Sequence, residues 1–247
     1  GPLARSIKDL ELALKVMSKE NYDDPWWTPL PLSLPMPEKK IALLKKIEGL
    51  KIDPIISAEL DIVAKRLEDS GWVIEEPKAP NFQEAAKFQA TLWLGEFRRT
   101  GGEAITKEND PDSNFIYSQM SRRCPDTSLE KFMDSLQQRA RISREWNKFF
   151  DQYPIILCPI TGDIPFPDLK DLESEESFDL VFDSMLPQIA PPYMGLPGLS
   201  FATSKTKQKI PLGVQFISRK FREDLLLNVG YDLENYYPKI EPVLPAF

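Results

Sequence analysis

The serine, cysteine and lysine residues of this sequence could act as nucleophiles or bases, but only beside suitable partner residues. The chain contains no histidine, which removes Ser/His/Asp and Cys/His systems and every zinc site that uses imidazole. Ser204 and Lys205 are adjacent and could form a Ser/Lys dyad. A catalytic lysine must be desolvated to lose its proton, however, and the surrounding SKTKQK is typical of an exposed turn. We therefore assign no catalytic residue.

The two cysteines, Cys124 and Cys158, lie far apart in the sequence and form no CxxC pair. Neither a disulfide framework nor a zinc ribbon is indicated, so buried free thiols in a reducing compartment are the expectation. Because the carboxylates are scattered and histidine is missing, the sequence predicts no metal site and no cofactor.

Composition and charge narrow the classes of partner. The chain has 247 residues, of which 42% are hydrophobic and 28% charged, as in an ordinary soluble globular protein. No apolar run approaches the roughly 18 residues of a membrane helix and no secretory signal is visible, so we expect a cytoplasmic protein without a membrane partner. The net charge of -7 argues against nucleic acid, and the short basic pairs Arg98–Arg99 and Arg122–Arg123 are interpreted as solvated surface.

The elements that must position any site alternate between strands and helices. KKIALLKKI and WVIEE are predicted as short strands on either side of a helix that Asp53 caps, Pro54 opens and Gly71 ends. The strand, helix, strand order indicates an α/β sheet. The apolar positions on one face of this helix are Ile56, Leu60, Val63, Ala64 and Leu67.

Two long helices are predicted next, at about 82–97 and 129–150. A loop rich in Gly, Asn, Asp and Pro, at about 100–114, is predicted between them. The Phe and Trp residues of both helices recur at helical spacing. We interpret them as core and not as a ligand site, because large aromatic side chains dominate core burial.

The sequence YPIILCPITGDIPFP predicts a buried strand, Ile155–Cys158, that stops at a proline and opens into a loop. Ligands of α/β sheets bind beside such loops, so Thr161 is a candidate pocket residue. A proline-terminated strand with a plain surface loop is the alternative. Two further apolar runs, PPYMGLPGLSFAT and IPLGVQFIS, are joined by SKTKQK and predict a hairpin with a charged tip.

Proline is abundant, at 23 residues, or about twice the usual frequency. Five of these prolines stiffen the segment 25–37, which can be neither helix nor central strand. We expect Trp26 and Trp27 to hold this crossover against the body of the protein. Recognition of the Pro-rich segment by an aromatic-lined partner groove is the alternative.

Several of these segments, taken in order, resemble the C-terminal half of the amidase signature family. They are GPLARSIKDLELAL, DPWWTPLPL, REWNKFFDQYPIILCPIT, and GLPGLS followed by PLGVQFISRKFREDLLL. The resemblance runs from residue 1 to about residue 245 and is looser between about 75 and 140. It implies an α/β fold with a mixed β-sheet flanked by helices, and an amide C–N hydrolase with a Ser, cis-Ser and Lys triad that needs no histidine.

The resemblance also implies that the catalytic serines lie outside this sequence. The family's Ser-rich motif, of the form GGSSGG, is not found here, and Gly101–Gly102 has no serine beside it. Residues 1–247 then correspond to the C-terminal part of a single amidase-type domain of about twice this length, and its own N-terminal half is the expected partner. Gly1 and Pro2 could instead be a tag remnant. The alternative function is a non-catalytic truncated or split module that binds a partner, and a homodimer is left open.

The expected substrate is a small-molecule amide. The resemblance implies residues that line the acyl side of its pocket, and one arginine that contacts substrate in some relatives. Pro192 stands where many relatives carry Asn. For the arginine, the alternative is a helix-surface cation near Glu145 or Asp151. The implied substrate-binding residues are Ile160, Thr161, Tyr193, Met194 and Arg139.

Overall fold

The structure, a computed structural model, describes residues 1–238 of the chain, which contain nine α-helices and five strands. The strands are β1 (Lys40–Leu43), β2 (Val73–Glu75), β3 (Ile155–Pro159), β4 (Gly198–Lys205) and β5 (Pro211–Ser218). The helices are α1 (Ile7–Met17), α2 (Pro54–Asp69), α3 (Phe82–Thr100), α4 (Gly102–Glu108), α5 (Pro111–Arg123), α6 (Leu129–Gln152), α7 (Glu175–Ser184), α8 (Leu186–Met194) and α9 (Glu223–Glu234), and a 3₁₀ turn spans Lys170–Leu172.

The strands form one mixed sheet in the order β2-β1-β3-β5-β4. β1 pairs in parallel with β2 and with β3, as the predicted strand, helix, strand unit requires. β5 runs antiparallel to both β3 and β4, so the predicted hairpin is also present. The predicted α/β fold with a mixed sheet and flanking helices is confirmed.

Local sequence signals explain where the predicted helices begin and end. The Asp53 side chain accepts a hydrogen bond from the Ile55 N–H at 2.7 Å, and Pro54 occupies the first turn, where a missing N–H costs nothing. Gly71, just past the end of α2, has a φ of 85°, which glycine adopts without strain. Ser6 caps α1 by accepting from the Asp9 N–H at 3.2 Å.

Helices cover both faces of the sheet. Because successive strand residues point to opposite faces, Ile155 and Leu157 of β3 pack against α2 and α9, while Ile156 and Cys158 pack against α3, α6 and α8. All four side chains are 0% exposed. The resulting three layers place the core on both sides of β3. The helical members include Leu60, Val63, Leu67, Val229 and Leu233 on one face and Phe82, Ile142, Trp146, Phe150 and Tyr193 on the other.

Two sequence interpretations are wrong in the region of α3 to α5. Residues 100–114 are not a loop, because α4 and most of the first turn of α5 lie there. The glycine, asparagine and proline signals mark helix ends instead: Asp110 caps α5 by accepting from the Ser113 N–H, and Pro111 follows it. The assignment of all α3 aromatic residues to the core is also wrong, since Trp93 and Phe97 are 44% and 37% exposed.

The predicted first strand of the hairpin is also partly wrong, because PPYMG forms the end of α8. Pro191 has no N–H to donate to the carbonyl of Pro187, one turn earlier. That carbonyl instead accepts a hydrogen bond from the Gln215 side chain of β5 at 3.0 Å. A tertiary contact thus compensates for the bond that the proline removes, and the strand begins at Gly198 after Gly195 has ended the helix.

The Pro-rich crossover contains neither helix nor strand, as predicted. Of the two tryptophans expected to hold it, Trp26 is 86% exposed, so that expectation is wrong for Trp26. Trp27 is half-buried and donates to the carbonyl of Ser18 at 3.1 Å. Further along the segment, the carboxylate of Asp224 accepts from the Leu34 N–H at 3.2 Å.

Among residues 1–238, no helix combines the length and the apolar character that crossing a bilayer would require.

Candidate substrate-binding site

The loop that follows β3 is fixed to three other elements. The Gly162 N–H donates to the carbonyl of Ser184 at the end of α7, and the Gly162 carbonyl accepts from the Asp53 N–H before α2, both at 2.8 Å. Gln188 of α8 donates from Nε2 to the carbonyl of Ile160 at 3.2 Å. A ligand at the carboxyl end of β3 would therefore meet a preformed loop.

Gly162 is required by the close approach of this loop to residues 50–53. A Cβ atom at Gly162 would lie 2.4 Å from the carbonyl oxygen of Lys51, so a larger residue would displace backbone. Thr161 is half-buried beside it and donates from Oγ1 to the carbonyl of Asp163 at 2.7 Å. The hydroxyl oxygen keeps acceptor capacity toward a ligand N–H.

Tyr193 lies in the last turn of α8 and is 0% exposed. Its hydroxyl donates to the carbonyl of Ser135 on α6, and its ring stacks on Phe88 of α3 with centroids 5.7 Å apart. Burial raises the pKa of the Tyr193 hydroxyl to about 12. The side chain is therefore a neutral, tightly held contact between three helices.

Arg139 covers the ring of Tyr193, with its guanidinium carbon 5.3 Å from the ring centroid. The arrangement is a cation–π contact with the charged end in solvent. The alternative drawn from the sequence is a helix-surface cation near Glu145 or Asp151, and Arg139 is indeed exposed on α6, although Glu145 itself pairs with another arginine. The Nη1 atom of Arg141 forms a salt bridge with Oε1 of Glu145 at 2.8 Å.

The five implied substrate-binding residues fall into two groups. Arg139, Tyr193 and Met194 lie where α6 and α8 meet, and Met194 is buried in the core beside them. Ile160 and Thr161 lie at the end of β3. Gln188 joins the groups through α8, because it holds Ile160 from the helix that carries Tyr193. A role in binding substrate stays a prediction for all five.

A cleft of about 880 Å³, which sequence reasoning missed, opens between α3, α5, α6, α7 and α8. It reaches Phe88 and Ser135, the two residues that contact Tyr193, but none of the five implied residues lines it. Its lining is mixed in charge. The charged lining residues are Lys87, Arg123, Asp126, Lys131, Asp134 and Asp183.

The sequence predicts that Arg122 and Arg123 are solvated surface. Arg122 is exposed as predicted, but the prediction is wrong for Arg123, which is half-buried. Arg123 donates to Asp179 at 2.7 Å and also pairs with Asp183, so that it joins α5 to α7 at the rim of the cleft. Arg122 donates to the same Asp179. These bonds lower the pKa of the Asp179 carboxyl, with the Arg123 hydrogen bond as the main cause. Because the partners are distant in sequence, no local pattern could have revealed the network.

The remaining nucleophile candidates have structural partners. Both cysteines are free, and burial raises the pKa of the Cys158 thiol to about 12, which keeps it protonated and unreactive. Ser204 donates to Glu59 at 2.9 Å, and Lys205 is exposed, so the two do not form an activated pair. Among residues 1–238, no group of three or more His, Cys, Asp or Glu side chains is arranged to hold a metal ion.

The fold and the loop after β3 define an α/β/α protein with a firmly held loop at the carboxyl end of its central strand. The chain belongs to the amidase family: the sequence profile of that family, described as Amidase, matches residues 1–227. The resemblance drawn from the sequence motifs is thereby confirmed.

Individual relatives agree with this assignment. The chain is 31% identical over 238 residues to an indoleacetamide hydrolase of Bradyrhizobium diazoefficiens, an alignment that covers 95% of this chain and 45% of the relative. Among solved structures, a 6-aminohexanoate cyclic dimer hydrolase superimposes with a TM-score of 0.77 at 17% identity, covering 95% of this chain and 54% of that one. A fatty acid amide hydrolase gives a TM-score of 0.69 at 18% identity, covering 97% of this chain and 48% of that one. The chain spans about half the length of the relatives it matches.

Proposed function

We propose that this chain is the C-terminal part of an amide C–N bond hydrolase, supplying scaffold and part of the substrate pocket but not the Ser, cis-Ser and Lys triad. The observation that carries the proposal is the family match over residues 1–227 in a chain about half as long as its relatives. Amide hydrolysis requires an activated nucleophile and donors for the oxyanion. In this proposal both come from a partner segment, the N-terminal half of the same amidase-type domain.

The proposed substrate is a small amide with an aromatic acyl group. The relative at 31% identity is an indoleacetamide hydrolase, which supports this class. On this chain, Ile160 and Thr161 would contact the acyl part after β3. Arg139 would contact the polar end of the substrate, and Tyr193 with Met194 would form the apolar support beneath it.

The proposed partner segment joins the sheet at β4. This strand is the last in the order β2-β1-β3-β5-β4, and it pairs on one side with β5. An edge strand offers N–H and C=O groups for pairing with a further strand. Most residues of β4 are exposed in the structure, so a further strand could pair with its backbone.

Reconstitution tests the proposal. The 247-residue chain is expected to release no ammonia from indole-3-acetamide by itself, since loss of a nucleophile and its base removes nearly all catalysis. Mixed with a separately expressed N-terminal half that carries the GGSSGG motif, it is expected to regain turnover. Arg139→Ala should then raise KM, while Arg144→Ala, an exposed arginine on the same helix, should not.

A non-catalytic binding module is the second candidate, favoured by the absence of the Ser-rich motif from this sequence. If the two halves associate but no tested arylacetamide is hydrolysed, this second function replaces the first. Turnover by the 247-residue chain alone would contradict both.

A further inference from the structure

A second pocket, of about 640 Å³, lies between α3, α4, α5 and the 3₁₀ turn Lys170–Leu172. Sites for small molecules commonly have volumes of roughly 300 to 1,000 Å³. Its walls are largely apolar, with Trp93, Phe97 and Tyr117 as the aromatic components. Phe97 and Tyr117 meet edge to face, with ring centroids 5.7 Å apart. The pocket therefore has the size and lining of a site for an aromatic or branched apolar group.

Three of the apolar side chains at this pocket are unusually open to solvent. Trp93 is 44% exposed, Phe97 37% and Leu169 58%. Leu169 also has a φ of 56°, a left-handed conformation that costs free energy for a residue with a side chain. Leu169 therefore adds an exposed apolar side chain to the lining of the pocket.

The charges at the pocket all have one sign. The acidic residues Glu96, Asp112 and Asp171 are among its lining residues, and the lining includes no lysine or arginine. Within residues 1–238, none of the three carboxylates forms a salt bridge. Within the described part of the chain, the pocket therefore has three acidic residues without a salt-bridge partner, and no basic residue, next to aromatic side chains.

Basic residues close by in sequence are already engaged elsewhere. Lys107 pairs with Glu103 at 2.8 Å, Arg122 pairs with Asp179 at 2.5 Å, and Lys170 pairs with Glu173. Arg98 donates to the carbonyl of Cys124, and Arg99 donates to the carbonyl of Gly95 at 2.7 Å on the same helix. Of these five, only Arg99 keeps a cation without a carboxylate partner within residues 1–238, and it does not line the pocket.

We propose that this pocket binds a small organic ammonium ion, a primary amine on an aromatic or branched aliphatic body. The apolar body would displace water from Trp93, Phe97 and Leu169. The ammonium group would lie near the carboxylates of Glu96 and Asp171, and an aromatic face attracts a cation further. A carboxylate ligand of the same shape would be repelled by the same groups. The proposal does not depend on the proposed hydrolase activity.

Three probes of one shape test the charge preference. Phenethylammonium, 2-phenylethanol and phenylacetate share a ring and differ in charge, and their binding to the full chain can be followed by calorimetry at low ionic strength. Phenethylammonium is expected to bind at least tenfold more tightly than 2-phenylethanol, with no detectable binding of phenylacetate. Added salt should weaken the binding of the cation and leave that of the alcohol unchanged.

Variants locate the site. The double variant Glu96→Gln/Asp171→Asn is expected to reduce the affinity for phenethylammonium about tenfold while its affinity for 2-phenylethanol stays the same. Trp93→Ala should weaken both ligands. Asp151→Asn, which removes an exposed carboxylate of α6 far from the pocket lining, is the matched control and should change neither. All variants replace exposed or half-buried side chains, and circular dichroism checks that they fold.

The outcomes that overturn the proposal are specific. Equal affinity for the three probes would make the pocket a non-selective apolar surface. Cation binding that survives the double variant would place the site elsewhere. If no probe binds and Trp93→Ala converts a dimer into a monomer in sedimentation, the pocket is an interface between two copies of this chain, and the proposal is wrong.

Discussion

The sheet is held by different forces from the helical segment, that is, the exposed faces of α3, α4, α5 and α7. In the sheet, Ile155 and Phe216 are 0% exposed, and helices cover both faces. In the helical segment, Arg123 joins α5 to α7 through Asp179 and Asp183, and Trp93 stands partly in solvent. Residues of these helices line both clefts, of about 880 and 640 Å³.

The contrast indicates which part of the molecule is scaffold and which part can adapt to ligands. Close-packed apolar layers respond to the loss of even one methylene group, whereas ion pairs near the surface contribute little individually. The exposed and ion-paired side chains of the helical segment can therefore change at low cost to the fold, whereas core side chains of the same helices, such as Phe82 of α3, cannot. This is a property that binding surfaces on a rigid framework require.

The largest expected effect is loss of packing in the sheet. Phe216→Ala in β5 removes a ring that is 0% exposed, and it should lower the free energy of unfolding by about 3 to 5 kcal/mol. Phe97→Ala, at 37% exposure on α3, is the matched substitution and should cost about 1 kcal/mol or less. Urea unfolding of both variants measures the difference. Equal losses would mean that the helical segment is packed as tightly as the sheet.

The next largest loss of stability is expected from a buried ion pair at the start of α9, a helix that packs on the sheet. Arg222 donates to both oxygens of Asp224 at 2.8 and 3.0 Å, and the two side chains are only 9% and 8% exposed. Arg222 also donates to the carbonyl of Pro35 in the crossover. Asp224→Asn leaves a buried guanidinium without its counter-charge and should cost about 3 kcal/mol.

Limited proteolysis gives the structural readout for this pair. In Asp224→Asn, cleavage within 25–37 should accelerate, since the crossover loses the anchor that holds Leu34 and Pro35. The double variant Arg222→Met/Asp224→Leu should recover much of the lost stability, because no unpaired charge remains buried. A double variant as unstable as the sum of its single variants would show that the pair is not coupled.

The same contrast explains what the sequence could predict. The helix α2 was predictable because Asp53, Pro54 and Gly71 act within a few residues of its ends, and β3 because its apolar run is bounded by prolines. The end of α8 was not, since the bond that Pro191 removes is compensated by Gln215 from a distant strand. Local signals therefore predicted most of the sheet and the helices α2, α3 and α6, while the proline-containing α8 and the ion-paired α5 and α7 needed the tertiary structure.

For the candidate site, the sequence motifs predicted individual residues, but only the structure shows which side chains contact them. Thr161 followed from its position after a strand, and Arg139 with Tyr193 followed from family resemblance. The cation–π contact between the last two, and the stacking of Phe88, depend on how α3, α6 and α8 cross. Spacing along one helix contains no information on that crossing, so the clefts could not be derived from the sequence.

A smaller effect is expected in alkaline solution at the junction of the two regions. The pKa of Tyr193 is raised to about 12 in the folded chain, above the value of about 10 for an unfolded tyrosine. Between those values the unfolded state loses the proton first, so stability falls as pH rises, by at most about 1.4 kcal/mol per pH unit for this group. Below pH 10 the group has no such effect.

Tyr193→Phe isolates this contribution. Its unfolding free energy should fall less steeply than that of the parent protein between pH 10 and 12, although it starts lower because the bond to Ser135 is lost. Tyr231, whose pKa is also raised to about 12 by its bond to Glu11, remains in both proteins and cancels in the comparison. Tyr22→Phe, at 96% exposure, serves as the control and should leave the slope unchanged. A Tyr193→Phe slope equal to that of the parent protein would contradict the buried, neutral hydroxyl.

The smallest effect is expected where the helical segment is joined by charges. Arg123 and Asp179 are 24% and 32% exposed, so Asp179→Asn should cost less than about 1 kcal/mol at neutral pH, and less still in high salt. The pKa of Asp179 is lowered in the folded state, which means that its stabilisation is present above the unfolded value of about 4 and is lost as pH falls below it. The difference in stability between parent and variant should therefore vanish in acid, and thermal unfolding from pH 7 to pH 2 measures it.

Asp151→Asn, which removes an exposed carboxylate on α6, is the control and should show no such pH dependence. If Asp179→Asn instead cost as much as Asp224→Asn, the α5–α7 junction would be part of the scaffold, and the division between a rigid sheet and an adaptable helical segment would fail.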